Sequence, residues 1–401
     1  MKAVMYGAGN IGRGFIGQLF AAAGYELTFI DVAEPVVEGL NREGRYPVRI
    51  LSDKGREDRW VEGVKAVNGR DAEKAAVAIA GADIMATAVG VRVLPFIAPV
   101  IAEGIKKRFQ KTGSCLNIII CENLIDANKA LEKLIKENLD EKERELFDKR
   151  IGLVEASIGR MVPIQTAEMQ EGNPLRVCTE AYGFLPVDKD AFKGEIPHIE
   201  GMRPFSRFDF YIQRKLFIHN MGHAVSAYLG MLRGEGYICQ AVSRGDILYI
   251  AQNAMLESAL ALSAKFGAPL EDLHWHIRDL LRRFSNQALG DTCARVGGDT
   301  ARKLGPQDRL IGAIRCCTEQ GVKPAFISLG AGAALFRHLE EKQAPQTPEV
   351  AAGILAEVSG LDAASPEAAL VLSFYSLVSK GAGFPELIKA AAEAGHKEGI
   401  I

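Results

Sequence analysis

Long apolar runs, an excess of charge of either sign, paired cysteines and metal-ligand spacings are all missing from this 401-residue sequence. Each absence removes a class of function. The formal net charge is −2, so nothing in the balance draws the chain to polyanions, and neither nucleic acid nor a membrane is expected as a partner. The longest apolar run of the second half, AFISLGAGAALF, stops at 12 residues, short of the ~20 that a membrane-spanning helix requires. It reads as a buried helix or loop. No cationic segment precedes an apolar stretch near the N-terminus, where KAVMY begins a strand at once, and cytoplasmic residence is the expectation.

The seven cysteines are odd in number, form no C-x-x-C pair and include the neighbours Cys316 and Cys317. They read as reduced packing residues. His274 and His276 are two apart on a predicted helix and point to different faces, so they cannot share an ion. No protein-bound metal is expected.

What is present is ordinary globular composition, 48% apolar and 24% charged, in a chain long enough for about two domains. The first opens with a short apolar run, KAVMY at 2–6, a glycine turn, GAGNIG at 7–12, and then RGFIGQLFAAAG at helical spacing. A second apolar strand, ELTFID, ends in Asp31, 22 residues beyond Gly9. An acidic residue at about that distance suits a ribose 2′-hydroxyl, and its charge repels a 2′-phosphate, which favours NAD over NADP. Gly7 permits the tight turn, Gly9 lets backbone approach a pyrophosphate, and Gly12 lets helix and strand pack closely. Asn10 and Ile11 lie between them, where the helix N-terminus presents unpaired N–H groups.

Strand and helix patterns then alternate through DIMATAV at 83–89, a helix at 92–108, LNIIIC at 116–121 and helices within 124–148. Such alternation predicts a doubly wound, mostly parallel sheet. YPVRIL at 46–51 and WVEGVKAV at 60–67 read as a β excursion between main strands. Ligands gather at the C-terminal ends of such strands, which singles out Val89 with Gly90 and Glu122 with Asn123. The Asn123 amide either reaches nicotinamide or substrate, or forms an Asx turn or the N-cap of the helix that follows. From about residue 205 Leu/Ala-rich helical patterns take over, and the boundary is expected near 195–205, giving domains 1–200 and 201–401.

The segment KLFIHNMGH at 215–223 sets Lys215, Asn220 and His223 in an apolar helix. At about 100° per residue they fall at roughly 0°, 140° and 80°, within one face. A lysine whose pKa is lowered by burial and by a positive nicotinamide ring can take a proton from a hydroxyl. The Asn220 amide can donate to the oxygen as it becomes a carbonyl, and His223 or its neighbour His219 can orient it.

GAGNIGRGFIG at 7–17, TAVG at 87–90, CEN at 121–123, the K-x4-N-x2-H helix followed by AVSAYLG, and RVGGDTARKLGPQDRL at 295–310 together resemble the polyol-specific long-chain dehydrogenases. GAGNIGRGFIG points to their phosphate-using branch. The resemblance implies an α/β Rossmann-type domain followed by a mostly α-helical C-terminal domain, with the site between them and no metal. It implies Lys215 as acid/base, assisted by Asn220 and His223. The implied reaction is reversible oxidation of D-mannitol 1-phosphate to D-fructose 6-phosphate with NAD; an unphosphorylated polyol or a hexuronate, as in sister branches, is the alternative. Relatives tend to carry an aspartate where this chain has Gly159. A sugar phosphate needs cations, and Arg295, Arg302, Lys303 and Arg309 cluster in sequence, with Arg295, Arg302 and Arg309 as the chosen substrate ligands and Arg295 preferred.

Overall fold

KAVMY forms β1 (Lys2–Tyr6), a strand buried from Ala3 onward because it lies mid-sheet with helices on both faces. The computed structural model describes residues 1–52 and 55–395, and the chain divides into two units, Met1–Phe208 and Asp209 onward. In the first, β1 pairs in parallel with β2 (Glu26–Asp31) and with β6 (Ile84–Thr87). The strands β3 (Arg45–Ser52), β4 (Gly55–Glu62) and β5 (Val64–Asn68) come between these two in sequence, and β7 (Leu116–Ile120) and β8 (Ile151–Glu155) follow. The main sheet runs β5-β2-β1-β6-β7-β8, all parallel. Counting only those six strands in chain order, this is 3-2-1-4-5-6, the dinucleotide-binding arrangement with its switch point beside β1.

The β excursion is narrower than the sequence pattern suggests. Gly63, at φ +69°, turns the chain between Glu62 and Val64, so WVE stays with β4 while VKAV becomes β5, the outer strand against β2. The β3–β4 hairpin instead joins Val177–Glu180 in a separate three-stranded sheet. Periodicity cannot separate two strands joined through a single glycine.

The second unit is helical. Helix Ala325–Glu341 is its centre, and its first eleven residues are buried. Glycine lets neighbours come close. A Cβ on Gly330 would stand 2.4 Å from a Val225 methyl, and one on Gly332 would stand 2.7 Å from the Tyr375 nitrogen. The run AFISLGAGAALF is therefore a core helix held close to helices Met221–Arg233 and Pro366–Ser379. Gly245–Phe266 has the length and hydropathy to cross a membrane, yet residues along its whole length, from Ile247 to Leu262, are buried within the unit.

Candidate functional site

Two groups of predicted residues form, one in each unit. In the first, the turn after β1 is fixed by backbone contacts: the Gly7 N–H donates to the Ile30 carbonyl at 2.8 Å and Gly7 adopts φ +101°. A Cβ on Gly7 would meet the Ala88 carbonyl oxygen at 2.4 Å, and one on Gly12 would meet the Gly7 oxygen at 1.9 Å. No residue with a side chain fits either position. Gly9 differs, since it is exposed and a Cβ there would meet nothing within 4 Å. Close packing thus accounts for the outer two glycines and leaves the middle one open to a ligand.

The helix begins at Asn10 and passes at once into a π turn, Gly12–Ile16, before Gly17–Ala22. Buried Arg13 braces the turn, its Nε donating to the Ala8 carbonyl and a terminal nitrogen to that of Leu175, both at 2.6 Å. Asn10 and Ile11 lie between the open glycine and this brace, Asn10 exposed and Ile11 half-buried. Asp31 sits at the end of β2, where one carboxylate oxygen accepts the Ala8 N–H at 2.6 Å and the other the Ala33 N–H at 2.9 Å. These bonds hold the carboxylate beside the glycine turn. Exposed Gly9, an acidic strand end and a helix start make a set that a dinucleotide fits.

Glu122, buried at the end of β7, accepts the N–H groups of Val89 (3.0 Å) and Gly90 (2.8 Å) with its two oxygens. It thereby ties together two of the turns that the strand ends single out. Asn123 is exposed, and the following helix starts only at Ala127 with Asp126 at its N-cap, so Asn123 does not cap it. A Cβ on Gly159 would meet the Tyr182 ring at 3.0 Å, so an aspartate there needs the ring to give by a few tenths of an ångström. Arg160, next to it, donates to the carbonyls of Tyr182 and Gly14 and to Gln18, and lies over the Phe15 ring. A cavity of about 740 Å³ beside Gln18, Trp60, Arg160 and Phe184 is lined by none of the predicted site residues.

In the second unit, the helical run that starts at Asp209 changes character at Lys215. Residues Lys215–Asn220 form a π turn, and α-helix resumes at Met221–Arg233. The angles expected of a regular α-helix therefore do not apply. A π turn bonds i to i+5, which stacks Lys215 close to Asn220, and His223 follows one α turn on. The three side chains consequently share a narrower arc than regular helix geometry gives. Single-turn π segments are frequent at functional sites, and both of those in the described residues coincide with the two predicted groups.

His219 is the more deeply enclosed of the two histidines. It is 6% exposed and its ring lies against Phe284 and His223, while burial, then Arg283, holds its imidazole well below the usual range. His223 is stacked on Phe284, ring centroids 4.7 Å apart at 14°. Its Nε2 lies 3.0 Å from Asp291 Oδ2, a contact bent away from straight hydrogen-bond geometry. Burial alone would raise the Asp291 carboxyl, yet His223 and Arg295 together bring it below the usual carboxylate value. Asp291 was not legible from sequence: it lies 68 positions from His223, and no spacing rule links them.

The three arginines chosen for the phosphate are all ion-paired. Arg295 places Nε and a terminal nitrogen on Asp291 Oδ1. Arg302 bonds Asp299 at 2.5 Å and Asp308 at 3.1 Å, and Arg309 Nε bonds Asp308 at 2.8 Å. Among the described residues no group of three His, Cys, Asp or Glu is placed to hold a metal ion.

The family model for the mannitol dehydrogenase Rossmann domain matches residues 1–201, and that for the mannitol dehydrogenase C-terminal domain matches 207–393. The chain belongs to the mannitol dehydrogenase family. Within it, the chain is 40% identical over 335 residues to a mannitol-1-phosphate 5-dehydrogenase of Brevibacillus brevis, covering 84% of this chain and 86% of the relative. It is 36% identical over 388 residues to one of Geobacillus thermodenitrificans, covering 95% of this chain and all of the relative. Among solved structures, a D-sorbitol dehydrogenase in substrate-free form has a TM-score of 0.78, covering 98% of this chain and 94% of that one. The Pseudomonas fluorescens mannitol 2-dehydrogenase in ternary complex with NAD and D-mannitol has a TM-score of 0.76 with the same coverage. Both are 15% identical to this chain, so they speak for the mannitol dehydrogenase fold alone.

Proposed function

We propose that this member of the family, a polyol-phosphate dehydrogenase, interconverts D-mannitol 1-phosphate and D-fructose 6-phosphate in the cytoplasm, with NAD as hydride partner, Lys215 as acid/base and no catalytic metal. One observation carries the reading. Lys215, Asn220 and His223 share a face of a π-interrupted helix in a chain whose relatives at 36–40% identity are mannitol-1-phosphate 5-dehydrogenases.

NAD, when bound, accepts the hydride from the carbinol carbon. The residues suited to it are the turn Gly7, Gly9, Asn10, Ile11 and Gly12, with Asp31 for the ribose and Val89 and Asn123 at neighbouring strand ends. The fixed charge of Asp31 disfavours a 2′-phosphate, which supports NAD over NADP. In the oxidative direction the Lys215 amine takes the hydroxyl proton as the C–H bond gives up its electron pair and the C=O bond forms. The Asn220 amide donates to that oxygen, and His223, fixed by Phe284 and Asp291, orients it. In reduction Lys215 returns the proton.

The test is NADH oxidation by Lys215→Ala with fructose 6-phosphate. Turnover should fall on the order of 10²- to 10⁴-fold while NADH affinity stays near that of the parent protein. Near-normal turnover at saturating substrate would remove the proton step. Fructose and tagaturonate assayed in parallel decide between the phosphorylated substrate and the alternative, an unphosphorylated polyol or hexuronate, and rapid oxidation with fructose but none with its phosphate would overturn the choice.

A further inference from the structure

A salt bridge spans the carboxylate proposed for the ribose. Glu34 opens helix Glu34–Glu43 directly after Ala33, whose N–H donates to Asp31 Oδ1 at 2.9 Å. On the other side β5 runs parallel to β2 with Asn68 opposite Asp31, and the Gly69 N–H donates to the Asp31 carbonyl at 2.8 Å. Arg70 follows, its own N–H held by Asn68 Oδ1 at 3.0 Å. Each of the two charged residues is thus one position from a backbone N–H bonded to Asp31. Arg70 Nη1 closes the span on Glu34 Oε1 at 3.3 Å.

The pair does little for the fold. Its side chains are 71% and 59% exposed, where water and salt screen the attraction and ordering two long side chains costs entropy. Its place at the strand end gives it another use. A phosphate on the ribose 2′-oxygen would bring about two negative charges beside Asp31, and a nearby guanidinium is what accommodates such a group. The arginine fork offers a phosphate two parallel N–H donors. Glu34 works against this on two counts, since it engages Nη1 of Arg70 and adds a second carboxylate to that of Asp31.

Resting on the coenzyme reading proposed above, we infer that Glu34 is a second determinant of the choice of NAD, and that Arg70 is a latent 2′-phosphate ligand which Glu34 keeps engaged. Asp31 repels the phosphate at the ribose itself. Glu34 withholds a cation that would otherwise offset that repulsion. The two residues are 36 positions apart, and the pairing of β5 with β2 is what brings them together.

The experiment is fluorescence titration with NADH and with NADPH, at low ionic strength, of the unmodified full-length protein, Glu34→Gln, Arg70→Gln and the double variant. Both positions are exposed, so each variant should keep the melting temperature of the parent. Glu34→Gln should tighten NADPH on the order of three- to ten-fold and leave NADH within about two-fold. Adding Arg70→Gln should cancel that gain. Arg70→Gln alone, with the guanidinium already engaged, should change NADPH affinity by less than about two-fold. Unchanged NADPH affinity in Glu34→Gln, or a gain that survives the addition of Arg70→Gln, overturns the inference. So does an equal gain for both coenzymes, which would place the effect of Glu34 on the part they share. Unmodified protein that binds neither coenzyme would sink the coenzyme reading itself, whereas tight NADH binding with an unaltered preference in Glu34→Gln sinks this inference alone.

Discussion

Asp291 holds His223 on one side and Arg295 on the other. Its Oδ2 lies 3.0 Å from the imidazole Nε2, and its Oδ1 accepts Arg295 Nε at 2.8 Å. With Phe284 stacked on the ring, the carboxylate sets the rotation of His223 about its own axis. Asp291→Ala should therefore lower kcat with fructose 6-phosphate by up to about 10²-fold, the cost of misplacing one orienting group, while NADH affinity is preserved. Steady-state kinetics with fluorescence titration of NADH checks this. Unchanged kcat would mean that His223 needs no support.

Asp31 engages backbone N–H groups of both Ala8 and Ala33. Asp31→Ala removes these acceptors together with the one proposed for the ribose. NADH should then bind on the order of ten-fold more weakly, and the preference for NADH over NADPH should narrow as a negative charge leaves the site. Competitive titration of the two coenzymes measures it. A preference that stays the same would take Asp31 out of coenzyme selection.

Glu257 accepts the N–H groups of Phe326 (2.9 Å) and Ile327 (3.0 Å) at the start of the central helix of the second unit. Burial outweighs these bonds and pushes its carboxyl up to about 8. A carboxyl raised above its unfolded value of 4.5 contributes stability that is fully present below pH 4.5 and is lost as pH rises through 8. Relative to Glu257→Gln, the parent protein should lose on the order of a few kcal/mol between pH 5 and about pH 9. Urea unfolding of both proteins across that range tests the sign. A parent protein that gains stability relative to Glu257→Gln toward alkaline pH would show the carboxylate, not the carboxylic acid, to be the form the helix start prefers.

Much of the first unit was legible because its signals are local. The glycine turn follows β1 directly, the acid ends the next strand, and each lies within one strand-helix-strand stretch. The split of VKAV from the hairpin was not legible, since it hangs on a single glycine with positive φ inside one apolar run. The trio proposed as catalytic could be read as one face, but its phase could not: a π turn leaves no mark in residue type. Partners brought in by tertiary packing, Asp291 for His223 and Glu122 for Val89 and Gly90, were hidden for the same reason that spacing rules fail across tens of residues. The basic segment 295–309 looked uniform in sequence, and only burial separates Lys303 from the arginines paired with acids.

The extra residue that the turn at 215–220 accommodates acts as a phase-setter between two stretches of ordinary α-helix. Everything upstream, Lys215 included, is wound ahead by one position relative to His223 and the residues beyond it. Inserting one further residue beside Ile218, with no second π turn to absorb it, would swing the lysine about 100° around the axis, away from its partners. The relative aim of these three groups is thus stored in chain length, and substitutions that preserve their chemistry would not restore it once that length changed.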